Sequence, residues 1–191
     1  RAMNVWMIRG GGRGEHDDKF LNDARIYLTW HRSRADLSGA SDKAELREIL
    51  ARLYPGIPPG RLRNNLGQFR SFVQKMQRGD IVLMPRRIKK GFIAVGEIAG
   101  DYEYDHAAAD PYYHSRRVKW LDTDVPRANF DQEMRFSLSV NMTLCQVRVD
   151  RAPERVRLAM RAQSARAAMD EQEPSERDEA DEGLPVIPHN I

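Results

Sequence analysis

Four of the five residues at positions 86–90 carry a positive charge. They are Arg86, Arg87, Lys89 and Lys90. An apolar run precedes them and Gly91 follows, a pattern that predicts the tip of a β-hairpin. Cations on such a tip can contact the phosphates of a nucleic acid, whereas the simpler interpretation is a solvated turn. The high density of charge favours phosphate contact.

Arginines in the loops after the first two apolar runs are candidates for the same phosphate contacts. They are Arg9, Arg13, Arg32 and Arg34. The first of these loops is rich in glycine, but it lacks the Gly-Lys-Ser/Thr sequence of a phosphate-binding P-loop. The sequence therefore does not predict nucleotide binding there.

Metal-binding and catalytic patterns are weak in this chain. The run His-Asp-Asp at positions 16–18 has no second cluster at the spacing of metal ligands. His106, Asp110 and His114 recur every four residues, but Pro111 breaks the helix that would place them on one face. No pair of acids followed by Glu-x-Lys indicates a nuclease centre. We therefore expect the chain itself to have no catalytic site, no metal site and no cofactor.

The composition is that of a globular protein with an uneven distribution of charge. The chain has 191 residues, 41% of them hydrophobic, and its one cysteine, Cys145, allows neither an internal disulfide nor a cysteine-based zinc site. No apolar run reaches the roughly 18 residues of a membrane span. Residues 1–150 hold 25 basic and 19 acidic side chains, and residues 151–191 hold six and nine. A basic folded part is typical of a nucleic-acid-binding protein, and we expect a cytoplasmic location without a membrane partner.

Hydrophobic periodicity predicts the elements that position these residues. Two strands come first, Val5–Ile8 and Arg25–Trp30, and two helices follow, one from an N-cap at Ser41 to Tyr54 and one over 60–77. The later predicted elements are the strands Ile81–Met84, Phe92–Ala99, Val118–Leu121 and Thr143–Val149 and a last helix, Pro153–Met169. This order favours an α+β fold, a curved mixed β-sheet or small barrel with flanking helices.

Several segments of the chain, taken in order, resemble the EVE domain of the PUA-like superfamily, which is related to YTH and SRA domains. The segments are Val5–Gly11, Arg63–Asp80, Gly91–Gly96, Val118–Pro126 and Phe136–Val140. With the acidic residues after position 169, the set resembles the amino-terminal EVE-like domain of Mrr-type modification-dependent restriction endonucleases. The resemblance covers about residues 4–150, and the segment 101–116 departs from it.

The resemblance implies a PUA-like fold over residues 4–150 and a partner, double-stranded DNA, that carries a modified base. The base, expected to be a modified cytosine, would flip out of the duplex into an aromatic pocket. Residues 151–169 would form a C-terminal helix, and the acidic residues 170–191 a linker that leads to a nuclease domain. Mg²⁺ is expected only for that nuclease domain, and a homodimer would form through the full-length protein.

The same resemblance implies five residues of the pocket. They are Trp30, Tyr102, Tyr112, Gln68 and Ser139. Trp30 stands at the position of a cage tryptophan, and one of the tyrosines, Tyr102 before Tyr112, would supply the second aromatic face. The amide of Gln68 can donate to and accept from a base edge. Each residue has a structural alternative: the tryptophan in the core, the tyrosines on a loop, and the polar side chains bonded to neighbouring groups.

Three other functions stay open from the sequence. An RNA-binding reader is one, because relatives of this fold bind RNA. A small hydrolase that acts on modified nucleosides is another, and its general base would be Glu97 or Asp101. A protein-interaction module that dimerises through the helix at 153–169 is the third, and it is compatible with DNA binding.

Overall fold

One curved mixed β-sheet organises the chain, of which the computed structural model describes residues 1–162. Its strands are β1 (Val5–Ile8), β2 (Arg25–Tyr27), β3 (Ile81–Pro85), β4 (Phe92–Ile98), β5 (Glu103–Tyr104), β6 (His114–Pro126) and β7 (Leu144–Gln146). They lie in the order β2-β6-β4-β3-β1-β7, with β5 beside β6. Strands β1 and β3 are parallel, and the other pairs are antiparallel. The predicted α+β class is confirmed, and because no pairing joins β2 to β7 within residues 1–162, the sheet is an open half-barrel.

Strand β6 is the longest strand and pairs with three others, β2, β4 and β5. The sequence predicts only Val118–Leu121, whereas the strand runs from His114 to Pro126. Its first residues are polar and nevertheless buried, and its second half carries exposed acidic residues. Hydrophobicity alone therefore does not mark its ends. Register shifts against β4 around Val95 bend the two strands together.

Helices cover both faces of the sheet. They are α1 (Asp17–Asp23), α2 (Lys43–Leu53), α3 (Pro59–Arg70), α4 (Gln132–Ser137) and α5 (Ala152–Arg161). The larger hydrophobic cluster joins α1, α2 and α3 to one face, and the smaller joins α4 and α5 to the other. Trp6 lies in the larger cluster, and its indole N–H donates to Asp80 at 2.9 Å. The sequence analysis did not predict α1, which is short and follows the glycine-rich loop.

Helix α2 begins after Asp42 and not after Ser41 as predicted. The Asp42 carboxylate accepts the backbone N–H of Glu45 at 2.9 Å. The Glu45 carboxylate in turn accepts the backbone N–H and the hydroxyl of Ser41. Ser41 therefore takes part in the cap, although the N-cap residue is Asp42.

The second predicted helix changes type before it ends. Helix α3 stops at Arg70, and Ser71–Lys75 continue as one π-helical turn. The buried guanidinium of Arg116 donates to the carbonyl oxygens of Phe72 and Val73 at 2.7 and 3.0 Å, and to that of Gly100 at 3.1 Å. The bonds to Phe72 and Val73 fix the π-helical turn to β6, and the bond to Gly100 holds the residues that follow β4. Burial lowers the pKa of Arg116 to about 10.

The last described element, α5, corresponds to the first part of the helix predicted over Pro153–Met169. The remainder of that helix and the predicted linker 170–191 lie outside the described residues. Within residues 1–162, no helix is long and apolar enough to cross a bilayer.

Candidate nucleic-acid-binding site

Trp30 follows β2 and lies inside the larger hydrophobic cluster. It is 1% exposed, and its ring packs edge-on against Phe69 of α3 with the ring centroids 4.4 Å apart. The hydroxyl of Ser33 donates to its backbone carbonyl at 2.6 Å. The indole N–H, however, has no hydrogen-bond partner within residues 1–162. The structure therefore places Trp30 in the core and not on an open surface, with a buried donor left unused.

Two amide side chains of α3 are buried close in sequence to Phe69, the residue against which Trp30 packs. Asn65 and Gln68 are each 1% exposed, and Asn65 lies one helical turn before both Gln68 and Phe69. The Gln68 Oε1 accepts the backbone N–H of Leu144 at 3.2 Å. The Gln68 Nε2 and both polar atoms of Asn65 have no partner in the described part of the chain. Unsatisfied buried groups of this kind cost about 1–3 kcal/mol each, so their grouping calls for a ligand or water.

Asn65 was not among the residues predicted from the sequence. One signal was available, because Asn65 interrupts the apolar stripe of Leu62, Leu66 and Phe69 on the buried side of α3. A polar residue within such a stripe is either bonded internally or functional. We refer to Trp30, Asn65 and Gln68 as the amide–indole site.

The amide–indole site lies near the C-terminal end of β1. Leu144, which donates to Gln68, pairs with Ile8 at the last position of β1. The glycine-rich loop leaves β1 immediately afterwards and carries the exposed Arg13. The irregular segment 31–42 follows Trp30 and packs on the π-helical turn, where Gln74 donates to the carbonyl of Ala40 at 3.0 Å. These two loops therefore border the site.

Tyr102 belongs to a hydrogen-bonded network next to this region. Its hydroxyl accepts the backbone N–H of Leu37 at 3.3 Å and lies 2.7 Å from Nδ1 of His114. The other ring nitrogen of His114 is 2.7 Å from the carbonyl oxygen of Ser33, so Nε2 carries the proton and Tyr102 donates to Nδ1. Burial lowers the pKa of His114 to about 4 and raises that of Tyr102. Tyr102 thus braces segment 31–42 and also lines a groove of about 550 Å³ beside the π-helical turn.

Tyr112 lies in a different cluster at the surface. Its ring meets Tyr27 and His16 edge-on, and its hydroxyl is 2.7 Å from the His16 Nδ1. The ammonium of Lys19 lies over the Tyr112 ring at 4.6 Å. Tyr112 therefore remains a candidate stacking surface, but its contacts are with the loop after β1, with α1 and with β2.

Ser139 is not part of the amide–indole site. Its hydroxyl accepts from the guanidinium of Arg127 at 2.7 Å and donates to the carbonyl of Arg135 at 2.9 Å, next to the smaller hydrophobic cluster. The predicted pocket role of Ser139 is therefore replaced by a structural one. This side chain connects α4 to the residues that follow β6.

Arg9 also differs from its prediction. It is 3% exposed, and its guanidinium donates to the carbonyl oxygens of Leu138 and Val140 at 2.9 and 3.1 Å. A guanidinium buried in this way does not face a phosphate in the described structure, and the phosphate contact of Arg9 stays a prediction. Arg13, Arg32 and Arg34 are exposed, and the Arg34 guanidinium lies over the Tyr113 ring at 5.4 Å.

The basic residues of the predicted hairpin tip do form the turn between β3 and β4. The Arg86 guanidinium, 12% exposed, lies 3.1 Å from the carboxylate of Asp124, and the Lys89 ammonium lies 2.9 Å from the same oxygen. The backbone N–H of Arg87 donates to the buried carboxylate of Asp17 at 3.0 Å, and burial raises the pKa of Asp17 to about 6. Arg86 and Lys89 therefore contact a carboxylate in the free protein, and Arg87 and Lys90 belong to the same turn.

Groups able to bind a metal are scattered in the described residues. Within residues 1–162, no three His, Cys, Asp or Glu side chains gather at ligand distance. Asp110 binds His31 at 3.2 Å, while His114 is enclosed with Tyr102 and Ser33. The spacing noted for His106, Asp110 and His114 therefore does not bring these side chains together.

A family model covers most of the described residues. Residues 6–147 match the family described as "Domain of unknown function (DUF8426)", and the chain belongs to this family. Among solved structures, the chain is similar to the YTH domain of the Zygosaccharomyces rouxii MRB1 protein in complex with N6-methyladenosine RNA, with 14% identity and a TM-score of 0.33. That alignment covers 68% of this chain and 65% of the YTH chain. Among curated proteins, none matches this chain.

Proposed function

We propose that this chain is a DNA-binding module that receives a modified base at the amide–indole site. The observation that carries the proposal is a set of unpaired polar atoms on Asn65 and Gln68 of α3 and on Trp30, which packs against Phe69 of the same helix, each of the three being about 1% exposed. Together they offer N–H donors and one carbonyl acceptor beside aromatic rings. A base edge needs this combination of donors and acceptors, and a base face needs an aromatic neighbour. The resemblance of the sequence to EVE domains supports the same function.

The energies are of the right size for base capture from a duplex. Unstacking and unpairing one base cost a few kcal/mol, and stacking on an aromatic ring returns about 1–3 kcal/mol. Hydrogen bonds to Asn65 and Gln68 would relieve buried groups that are unsatisfied in the free protein, which makes each bond more favourable than an exchange with water. Because the site is closed, we propose that the segment 31–42 moves to admit the base.

The chemical identity of the partner follows from the resemblance. A modified cytosine in double-stranded DNA is the proposed ligand, and an Mrr-type nuclease joined to this module is the proposed effector. We propose that the chain itself binds without catalysing a reaction. Exposed cations on the bordering loops, Arg13 and Arg32, would contact phosphates and hold the duplex.

Fluorescence polarisation with matched duplexes tests the proposal. The duplexes differ in one cytosine or adenine modification, and single-stranded DNA and RNA of the same sequence complete the panel. The expected result is at least a tenfold preference, about 1.4 kcal/mol, for one modified duplex. Equal binding of modified and plain duplexes contradicts the proposal, and tighter binding to RNA than to any duplex assigns the site to an RNA reader.

Replacing Asn65 with leucine separates function from stability. Asn65→Leu removes two unsatisfied buried groups and keeps the number and branching of the side-chain heavy atoms, so the free energy of unfolding should rise by about 1–2 kcal/mol if the site accommodates the larger methyl groups. The same change should abolish the preference for the modified duplex. Asn64→Leu, on the exposed side of the same helix, is the matched control and should alter neither property. A destabilised Asn65→Leu protein with intact discrimination would refute the role of this residue.

A further inference from the structure

Ile88 stands at the tip of the β3–β4 hairpin and is 61% exposed. Two cations precede it and two follow it in the sequence. A single exposed apolar residue is ordinary on a protein surface. An exposed isoleucine within a basic turn is less ordinary, because such a turn gains nothing from an apolar tip in water. The surroundings of Ile88 therefore decide what this residue does.

Hydrogen bonds and ion pairs from three other segments of the chain fix the hairpin tip. The carboxylate of Asp124 binds both Arg86 and Lys89, and the carboxylate of Asp17 accepts the backbone N–H of Arg87. The backbone N–H of Arg127 donates to the carbonyl of Gly91 at 2.8 Å and closes the base of the turn. Cations that look suited to phosphates are thus partly used to fix the turn. Ile88 is therefore exposed on a turn whose conformation these contacts fix.

The tip and Gln68 of the amide–indole site lie near the same end of the sheet. Strands β1 and β3 are parallel neighbours, so the hairpin turn after β3 and the glycine-rich loop after β1 leave the sheet side by side. Asp17, which follows that loop, bonds to the tip directly. The last residue of β1, Ile8, pairs with Leu144, and Leu144 donates to Gln68. The end of β1 therefore has the hairpin tip on one side and Gln68 of the amide–indole site on the other.

We infer that Ile88 is an apolar wedge that enters duplex DNA where the captured base leaves the stack. This inference rests on the proposed function, because it needs a duplex from which a base is extracted. A flipped base leaves an apolar gap between its neighbours, and isoleucine is among the side chains that proteins insert between base steps. The flanking cations would meet the phosphates on either side of the gap. The partner of the hairpin tip is therefore double-stranded DNA.

Comparing duplex with single-stranded DNA tests the wedge, because a single strand has no gap to fill. Dissociation constants are measured for the wild type, Ile88→Ser and Ile88→Leu with one modified oligonucleotide, alone and annealed. Ile88→Ser should weaken duplex binding about tenfold, about 1.4 kcal/mol, and change single-strand binding less than twofold. Ile88→Leu should retain duplex binding. Leu158→Ser, at the similarly exposed Leu158 on α5, is the matched control and should leave both affinities unchanged.

Each other outcome overturns the wedge. Unchanged duplex binding by Ile88→Ser shows that the tip does not enter the stack. Equal losses on duplex and single strand show a general contact. Failure of the proposed function is recognised separately, since the wild type would then bind modified and plain duplexes equally before any variant is made.

Discussion

The free energy of unfolding of the free protein is lowered by three residues: Trp30, Asn65 and Gln68. Four of their polar atoms are buried without a partner in the described residues, at a cost of about 1–3 kcal/mol for each group. Two other large buried polar side chains are bonded: Trp6 to Asp80, and Arg116 to three carbonyls. Buried polar atoms without a partner also occur elsewhere in residues 1–162, but Asn65 and Gln68 carry three of them within one turn of α3.

The buried imidazole of His114 is expected to make the stability of the protein depend on pH. Burial holds its pKa at about 4, below the unfolded value of 6.5, so the folded state favours the neutral ring. Its contribution to stability is complete above pH 6.5 and is lost as the pH falls towards 4, up to about 3 kcal/mol. NMR titration of the imidazole should give a midpoint near 4. A midpoint near 6.5 in the folded protein would contradict the enclosed arrangement.

Asp17 also titrates in the pH range in which His114 affects stability, so the effect of His114 has to be measured by comparison with a variant that lacks the histidine. Its raised pKa of about 6 means that its contribution is lost as the pH rises from 3.8 to 6, opposite in sign to that of His114. The two effects therefore offset each other in the wild type. Urea denaturation of wild type and His114→Gln over pH 4–7 isolates the histidine, because Asp17 is common to both proteins.

At the scale of elements, the π-helical turn Ser71–Lys75 depends on Arg116. A guanidinium presents donors in several directions and reaches the carbonyls of Phe72, Val73 and Gly100 at once. Lysine keeps the charge but has a single, more strongly hydrated head group. The turn also lines the groove beside Tyr102, so its geometry affects the neighbourhood of the amide–indole site.

Arg116→Lys should lower the free energy of unfolding by about 2–3 kcal/mol, since bonds to a charged group contribute about 1.5–3 kcal/mol each and some would be lost. Chemical denaturation measures the change. Arg117→Lys is the matched control, because the adjacent Arg117 is exposed, and it should have a small effect. Equal stability of Arg116→Lys and wild type would show that the three carbonyl bonds do not hold the turn.

At the scale of the whole molecule, the distribution of charge predicts how salt affects binding. Residues 1–150 have a net charge of +6, but Arg9 is buried and Arg86 and Lys89 contact a carboxylate. The phosphate contacts are therefore expected from exposed cations near the amide–indole site and the hairpin tip. Arg13, Arg32 and Lys90 are the exposed candidates.

Replacing Arg13, Arg32 and Lys90 with glutamine should weaken binding to every duplex alike. The slope of log K against log salt should decrease by about 0.9 for each phosphate that the variant no longer neutralises. Binding measured between 50 and 200 mM salt, about the range over which such contacts are sensitive, gives the slope. The control replaces three exposed cations of α2, Lys43, Arg47 and Arg52. Equal slopes for the two triple variants would place the DNA elsewhere.

Local patterns in the sequence determined much of the fold. Strands β1, β3 and β4 and helix α2 were predicted within one or two residues, because each has its own apolar periodicity and ends at glycine, proline or a capping residue. The hairpin with its basic tip was predicted for the same reason. The uneven charge of the chain also follows from the sequence alone.

Only the tertiary structure decided which residues form the candidate site. Trp30 packs against Phe69, which adjoins Gln68 in α3, whereas Ser139 and Arg9 took structural roles. The missing partners of Asn65 also became visible only in the structure. The reason is physical: burial and hydrogen bonding depend on residues far apart in the chain. Gln68 is bonded to Leu144, 76 residues away, and Arg116 reaches back 44 residues to the π-helical turn. No local pattern carries that information.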